Sequence, residues 1–230
     1  MKTCVVEDTP DHYVSAGAIF CNPGSGYWGR DHIDTDGIPP DNQLRTIFGV
    51  YPVGGEFDAD QDASGTASSG LQGAGIAPLM QSSWVNFMLA ECAATLGTTG
   101  DPRSLLESAL RGSISKVTNF GASLAVDSLV SDVDTYVSQV LADFDNAADK
   151  TEVINKQYYI ALFGNGLEAF NNYRRTGQPG NAQPALNPQA GNAVRTFLYP
   201  SASVDRNANI DSKPISVQVF WDNNPADFIN

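Results

Sequence analysis

Cysteine and positive charge are both scarce in this sequence. Its 230 residues hold three cysteines and no CxxC pair, which excludes a disulfide-stapled scaffold and a zinc ribbon. They also hold 26 acidic residues against 13 Lys and Arg, a formal net charge of −13 at pH 7. Because so acidic a surface repels nucleic acid and anionic membranes, the composition favours a neutral or cationic partner.

The cysteines leave the redox compartment open. Cys4 and Cys21 could form a disulfide in an oxidising setting, and the sequence alone does not decide whether they do. Cys92 lies in the apolar stretch WVNFMLAECAATL, which is typical of a buried, inert thiol.

Long apolar runs are absent as well. No stretch reaches the roughly 18 apolar residues of a membrane-spanning helix. The start, MKTCVVEDTPDHY, has neither the apolar region nor the cleavage site of a secretory signal, and Cys4 lacks the preceding apolar run of a lipid-modified cysteine. We therefore expect this chain to be a piece of a longer protein.

Familiar catalytic motifs are missing too. The sequence contains no GxSxG, HExxH, GxxxxGK(S/T) or Cys/His signature, so its residues suggest no hydrolase, zinc protease or nucleotide-binding site. A carboxylate pair for glycoside hydrolysis remains open, because the separation of two carboxylates depends on the fold.

Turn signals and helical periodicity divide the chain into three segments, which we expect to pack as one domain. Residues 1–78 carry turn sequences such as NPGSGYWG and DTDGIPPDN and form a loop-rich segment. Residues 79–180 show the apolar spacing of helices. Residues 181–230 return to loops and end in the alternating stretch PISVQVFWD, which predicts a short strand.

Four helices are predicted in the middle segment. Asp101 and Pro102 have the N-cap and first-turn positions of the second helix, and Gly164 with Gly166 indicates a bend in the fourth. At the end of the fourth helix, Arg174 and Arg175 complement the negative end of the helix dipole, so we interpret them as structural, with at least one paired to an acid. The predicted helices are residues 79–97, 101–121, 131–144 and 150–175.

Two acidic clusters in the first segment are candidate metal sites. Asp58, Asp60 and Asp62 alternate like the first ligands of a calcium loop, but Ala63 stands where an EF-hand needs Gly and Ser69 where it needs a bidentate acid. A flexible acidic loop is the preferred interpretation, with calcium as the alternative. The second cluster, RDHIDTDG at residues 30–37, has one histidine and is interpreted as a turn.

Aromatic residues beside glycines and polar groups stand out in the same segment. Tyr27 and Trp28 lie in GSGYWGRD, directly before Arg30 and Asp31, and Tyr51 lies in GVYPVGG. Flat rings among carboxylate and guanidinium groups suit a neutral carbohydrate or peptide, by stacking together with oriented hydrogen bonds. The alternative is that these rings fill small cores beneath the loops.

The segment EVINKQYYIALFGNGLEAFNNYRRTGQPG, residues 152–180, resembles the signature of the SusD/RagB family, outer-membrane nutrient-binding lipoproteins of the Bacteroidetes. Further similarity lies in PLMQSSWVNFMLAECAATLG, YPSASVDRNAN, VFWD and the loop sequence GRDHIDTDGIPPDNQLRTIFGVYPVGGEFD. The chain departs from the pattern at Phe170, where a tryptophan is usual, at residues 81–83 and at Ser203. Residues in step with the signature are Ile154, Gln157, Ala161, Leu162, Phe163, Gly166, Glu168, Ala169, Arg174, Arg175, Thr176, Gly177 and Pro179.

The resemblance implies a mainly α, SusD-like fold in which tetratricopeptide-like helix pairs carry long loop-rich segments and few short strands. It also implies a non-catalytic protein on the cell surface, anchored as an outer-membrane lipoprotein, that binds a glycan, or a peptide, without a cofactor. Such a protein passes its ligand to a SusC-like TonB-dependent transporter. The ligand-facing candidates are Tyr27, Trp28, Arg30 and Asp31.

Family members are about twice this length, so the resemblance places this chain at their C-terminal half. The N-terminal half would lie on another chain or have been removed. Two functions of other classes remain as alternatives: a helical-repeat scaffold that binds only protein, and a secreted glycosidase that uses a carboxylate pair.

Overall fold

The structure, a computed structural model, describes residues 76–123, 132–180, 182, 194–222, 224 and 225. Within these ranges the regular structure is helical, which confirms the predicted mainly α class. Each helix from α1 to α5 packs against the next along the chain, in keeping with a succession of helix pairs. No helix in these ranges has the length and apolar character needed to cross a membrane. The helices are α1 Ser82–Leu96, α2 Pro102–Ser123, α3 Val133–Asn146, α4 Lys150–Ala161, α5 Gly166–Thr176 and α6 Ser201–Arg206.

Helix ends follow the capping residues that the sequence provides. α1 ends at Gly97, whose φ of 63° is left-handed, a conformation that costs glycine little. α2 begins after Asp101, whose carboxylate accepts from the Ser104 backbone N–H at 2.8 Å. α4 begins after Asp149, which accepts from the Thr151 N–H at 2.8 Å. Local sequence therefore sets these boundaries, as predicted.

The fourth predicted helix is two helices in the structure. The expected bend is a full break between α4 and α5, at Gly164, whose φ is 89°. Asn165 then caps α5 by accepting from the Glu168 N–H at 3.1 Å. Its amide also donates to the Pro78 carbonyl at 3.1 Å, so the break is held against the residues that lead into α1.

One hydrophobic core joins the first four helices. Trp84 is fully buried and its indole N–H donates to the Ala161 carbonyl at 3.0 Å, which satisfies its one polar group. The Phe87 and Tyr158 rings stack with centroids 5.5 Å apart. Burial of such a stripe supplies most of a helix's stability in a protein of this kind. The buried core residues are Trp84, Phe87, Ala90, Leu106, Ala109, Leu110, Val137, Val140, Leu141, Phe144, Ile154, Tyr158 and Leu162.

The strand predicted at PISVQVFWD is wrong. Residues 214–222 turn instead, with hydrogen bonds from the Val217 N–H to the Pro214 carbonyl at 3.3 Å and from the Asp222 N–H to the Val219 carbonyl at 3.0 Å. The alternating apolar residues do not share a buried face, since Val217, one of them, is 44% exposed. The turns instead bring Asp222 into the interior, where it pairs with Arg195.

The predicted division of the chain into three segments, with boundaries at residues 78 and 180, is not tested by the described part of the structure and stays a prediction. Cys4 and Cys21, whose pairing the sequence leaves open, lie outside the described residues.

The glycine that ends α5 offers a test of how the C-terminal segment is attached. Gly177 has a φ of 71°, and a Cβ atom there would lie 2.5 Å from the Asn224 Oδ1. The Asn224 amide donates to the Arg174 carbonyl at 2.6 Å. We expect Gly177→Ala to lower the free energy of unfolding by about 1 kcal/mol more than backbone strain alone does, because Asn224 must leave this position.

Gly97→Ala is the matched control, because Gly97 is also a left-handed helix cap, but a Cβ atom added there would have no neighbouring atom within 4 Å. Urea denaturation of both variants measures the difference. Equal losses would show that the Asn224 contact contributes nothing to stability.

Candidate functional site

The ligand-binding and calcium candidates from the sequence lie outside the described residues. These are Tyr27, Trp28, Arg30 and Asp31 for ligand, and Asp58, Asp60 and Asp62 for calcium, and both sets stay predictions. Within the described residues, no group of three or more His, Cys, Asp or Glu side chains is placed to hold a metal ion.

An open groove of about 620 Å³ lies between α1, α4, α5 and the Trp221 side chain. α1 supplies residues at positions i, i+3, i+4 and i+7 from Met88, and α5 supplies the same spacing from Glu168, so each helix turns one face to the groove. The lining residues are Met88, Glu91, Cys92, Thr95, Leu96, Tyr158, Glu168, Asn171, Asn172, Arg175 and Trp221.

The Arg175 guanidinium crosses the groove from α5 to α1. It donates to both carboxylate oxygens of Glu91, at 2.6 and 2.7 Å, and these hydrogen bonds raise the pKa of Arg175. The same guanidinium donates to Asn172 Oδ1 at 3.0 Å and to Asn155 Oδ1 at 3.3 Å, two buried amides. The prediction that one of the paired arginines binds an acid is confirmed.

Tyr158 and Glu168 lie beside this ion pair. Tyr158 is 4% exposed, and burial raises its pKa to about 12, with the Glu168 carboxylate adding to the rise and the Arg175 guanidinium opposing it. Glu168 is half-buried. Its carboxylate makes neither an ion pair nor a hydrogen bond with the described part of the chain, and it is therefore an acceptor facing the groove without a partner.

The amide nitrogen of Asn172 is also unpaired. The side chain is 4% exposed, its oxygen accepts from Arg175, and its Nδ2 has no hydrogen-bond partner among the described residues. A buried donor without a partner costs about 1–3 kcal/mol. The nitrogen has an accessible surface below 1 Å², so the Asn172 side chain lines the groove while this donor is closed to a ligand.

The second arginine points away from Glu91. The Arg174 guanidinium lies 4.0 Å from the Phe170 ring centroid and 4.7 Å from that of Trp221, and burial lowers its pKa. It donates to the Arg195 carbonyl at 2.7 Å and to Asn171 Oδ1 at 2.8 Å. Arg174 thus fixes Trp221 and Asn171, two residues that line the groove.

The residue that follows Trp221, Asp222, is also fixed in place. Asp222 pairs with Arg195 through contacts of 2.8 Å to both carboxylate oxygens, and their side chains are 0% and 4% exposed. Burial alone would raise the pKa of Asp222, but hydrogen bonds from Arg195 and Asn224 together hold it below its usual value. The pair stays charged, so the end of the C-terminal segment is anchored beside α5.

Sequence reasoning missed most of this groove. It also predicted Cys92 as a buried thiol, which is wrong: Cys92 is half-buried and lines the groove. The core-facing side of α1 is formed by Trp84, Phe87 and Ala90, and Cys92 lies on the neighbouring face. The signal that could have revealed the groove is the polar spacing along α5, which continues from Glu168 to Arg175.

The ion pair across the groove predicts that Arg175 cannot be replaced by lysine without loss of stability. Lysine provides the charge but not the fork of donors, so Arg175→Lys leaves buried amide oxygens of Asn155 and Asn172 without a donor. We expect a loss of about 1–2 kcal/mol in the free energy of unfolding, measured by urea denaturation.

Arg111→Lys is the control, because Arg111 is as exposed as Arg175 and also pairs with carboxylates, but its partners Glu107 and Asp134 are 37% and 86% exposed whereas Glu91 is 17% exposed. We expect a much smaller change there, since solvent screens a pair whose carboxylates are exposed. If both variants lost the same stability, the Arg175 contacts would be no stronger than those of a surface pair.

The raised pKa of Tyr158 predicts a loss of stability at alkaline pH. In the unfolded chain tyrosine ionises near the reference value of 10.0 and in the folded protein at about 12. As the pH rises from 10 to 12, the unfolded state loses its proton first, so the free energy of unfolding falls, by at most about 2 kcal/mol for this group.

Tyr158→Phe removes this titration, and denaturation curves taken from pH 9 upward should fall less steeply for the variant than for the wild type. Tyr173, whose pKa burial also raises to about 12, retains its own contribution in both proteins. Identical slopes would contradict the placement of the Tyr158 hydroxyl.

Comparison with known proteins identifies the family. Neither the curated proteins nor the solved structures contain a match to the chain. The model of a SusD-like family, described as starch-binding and associating with the outer membrane, matches residues 45–200. The match covers α1 to α5 with their connections, and it includes the two arginines and the α5 wall of the groove. Because it spans more than half of the chain, the chain belongs to the SusD-like family of starch-binding proteins that associate with the outer membrane.

Proposed function

We propose that the protein binds an α-glucan at the bacterial cell surface without cleaving it and delivers it to a SusC-like TonB-dependent transporter. The observation that carries the proposal is the family match over residues 45–200, whose description names starch. The description names binding and no reaction, which supports a non-catalytic role. In the proposal the protein is an outer-membrane lipoprotein and needs no cofactor.

Charge and scaffold agree with a neutral ligand. A net charge of −13 disfavours phosphorylated or sulfated glycans through long-range repulsion, whereas starch carries no charge. The helical core offers rigid elements on which binding loops can be preformed, and a preformed site limits the entropy lost on binding. In this proposal the loop residues Tyr27, Trp28, Arg30 and Asp31 contact the glucan.

Calorimetric titration of the protein with maltoheptaose tests the proposal. We expect saturable binding of maltoheptaose and little or no binding of cellohexaose, a β-linked glucan. The reason is that α-linked and β-linked glucan chains differ in curvature. An absence of binding to maltoheptaose and to soluble starch would refute an α-glucan function and favour the protein-only scaffold.

Trp28→Ala tests the loop site within the same titration. A stacked aromatic ring contributes about 1 kcal/mol or more at a binding site, so the affinity should fall at least about fivefold. Phe220→Ala is the control, since this ring is 97% exposed and is not one of the proposed ligand contacts. Unchanged affinity in Trp28→Ala would remove Trp28 from the site.

The transporter partnership is tested separately, by co-expressing the protein with a TonB-dependent transporter encoded next to it and purifying the detergent-solubilised complex. Recovery of both chains in a fixed ratio supports delivery. Glucan binding without any transporter association would limit the function to surface capture.

A further inference from the structure

We infer that the groove between α1, α4, α5 and Trp221 is a saccharide-binding site, additional to the loop site at residues 27–31. This inference rests on the proposed function, because it takes the ligand to be a neutral glycan. The chemistry of the groove supports the same ligand class through residues other than the four loop candidates Tyr27, Trp28, Arg30 and Asp31.

The charges in the groove disfavour anionic ligands. Glu91, Glu168 and Arg175 together carry a formal charge of −1, and a carboxylate or phosphate entering the groove would meet the Glu91 and Glu168 carboxylates. Glu91 and Arg175 already neutralise each other at 2.6 Å. A neutral ligand avoids this repulsion and leaves the ion pair in place.

The hydrogen-bonding groups in the groove are mixed, which suits hydroxyl groups. The Glu168 carboxylate offers an acceptor that has no partner among the described residues. Asn171 accepts from Arg174 through its oxygen and has its amide nitrogen left as a donor, and the Tyr158 hydroxyl both donates and accepts. A sugar hydroxyl can also do both, so neighbouring hydroxyls of one sugar ring can satisfy donors and acceptors side by side.

An aromatic ring completes the set. Trp221 lines the groove, and the Arg174 guanidinium 4.7 Å from its ring centroid holds its orientation. An oriented indole presents a flat apolar surface to the C–H face of a sugar ring at little entropic cost. Two independent features, the fixed ring and the Glu168 carboxylate that has no partner among the described residues, therefore converge on one groove.

Size and shape indicate an internal stretch of a glycan chain. A volume of about 620 Å³ lies within the range of about 300–1,000 Å³ for small-ligand sites. The groove is open rather than enclosed, so a polysaccharide can enter and leave it without presenting a chain end. We assign to it a few consecutive sugar units of the same α-glucan.

Cys92 supplies a local reporter, because its half-buried thiol lines the groove. In the full chain carrying Cys4→Ser and Cys21→Ser, Cys92 is the one remaining cysteine, and its alkylation by iodoacetamide reports on access to the groove. If bound glucan blocks the thiol, maltoheptaose at ten times its Kd should slow alkylation about tenfold, in proportion to occupancy.

Glu168→Gln tests the acceptor. The substitution preserves size but removes the charge that strengthens a hydrogen bond from a sugar hydroxyl, so the maltoheptaose concentration that gives half-maximal protection should rise about tenfold. Glu107→Gln is the matched control: Glu107 pairs with Arg111 on α2, away from the groove, and its protection curve should match the parent. Thermal melting of both variants verifies that they are folded.

The outcomes separate this inference from the proposed function. If calorimetry shows maltoheptaose binding while Cys92 alkylation keeps its rate, the groove is not a saccharide site and the proposed function stands. If calorimetry shows no glucan binding and Cys92 is not protected, both the groove inference and the proposed function are refuted. Protection that is lost in Glu168→Gln but retained in Glu107→Gln establishes the groove as a binding site.

Discussion

Two consecutive arginines at the end of α5 join the parts of this structure. Successive residues on a helix point about 100° apart, so Arg174 and Arg175 cannot serve the same neighbour. Arg175 reaches α1 and binds Glu91 through both carboxylate oxygens. Arg174 reaches the C-terminal segment, where it donates to the Arg195 carbonyl and lies against Trp221. The end of one helix thereby fixes the helical core and the C-terminal segment relative to each other.

The contacts around Arg175 and those around Arg174 differ in their energetics. The Arg175 side chain is 45% exposed, so solvent screens its charge and the geometry of its fork matters more than the Coulomb energy. The Arg195–Asp222 pair behind Arg174 is almost completely buried. A buried pair contributes little net stability, yet removal of either partner costs about 3–5 kcal/mol because the other charge is left unpaired. The C-terminal segment is thus held by a contact that favours one arrangement over others.

Arg174 and Arg175 also shape the groove. Arg175 forms part of its wall, and Arg174 fixes two other lining residues, Asn171 and Trp221. The Glu168 carboxylate and the buried Asn172 amide nitrogen are left without a partner among the described residues. A scaffold that is rigid around unsatisfied polar groups is the arrangement expected of a binding protein, in which preorganisation limits the entropy lost on association.

Much of the described fold was predictable from the sequence because its causes are local. Helix boundaries follow from caps such as Asp101 and Gly97, and the core stripe of α1 follows from the spacing of Trp84 and Phe87. The structural role of the paired arginines was also predictable, because the helix dipole and a terminal glycine act within a few residues. The strand predicted at residues 214–222 failed because Arg195, which is distant in the chain, draws Asp222 inward.

The sequence by itself determined where the first three helices lie and which residue types lie on each helix face, but it predicted neither the full break at Gly164 nor helix α6. It placed Met88, Glu91 and Cys92 on one face of α1, and Glu168, Asn171 and Arg175 on one face of α5. Only the tertiary structure decided that these two faces meet across a groove, with Trp221 added from the C-terminal segment. Spacing within a helix is set by local backbone geometry, whereas the partner of a face depends on packing and ion pairs between residues more than 80 positions apart, such as Glu91 and Arg175.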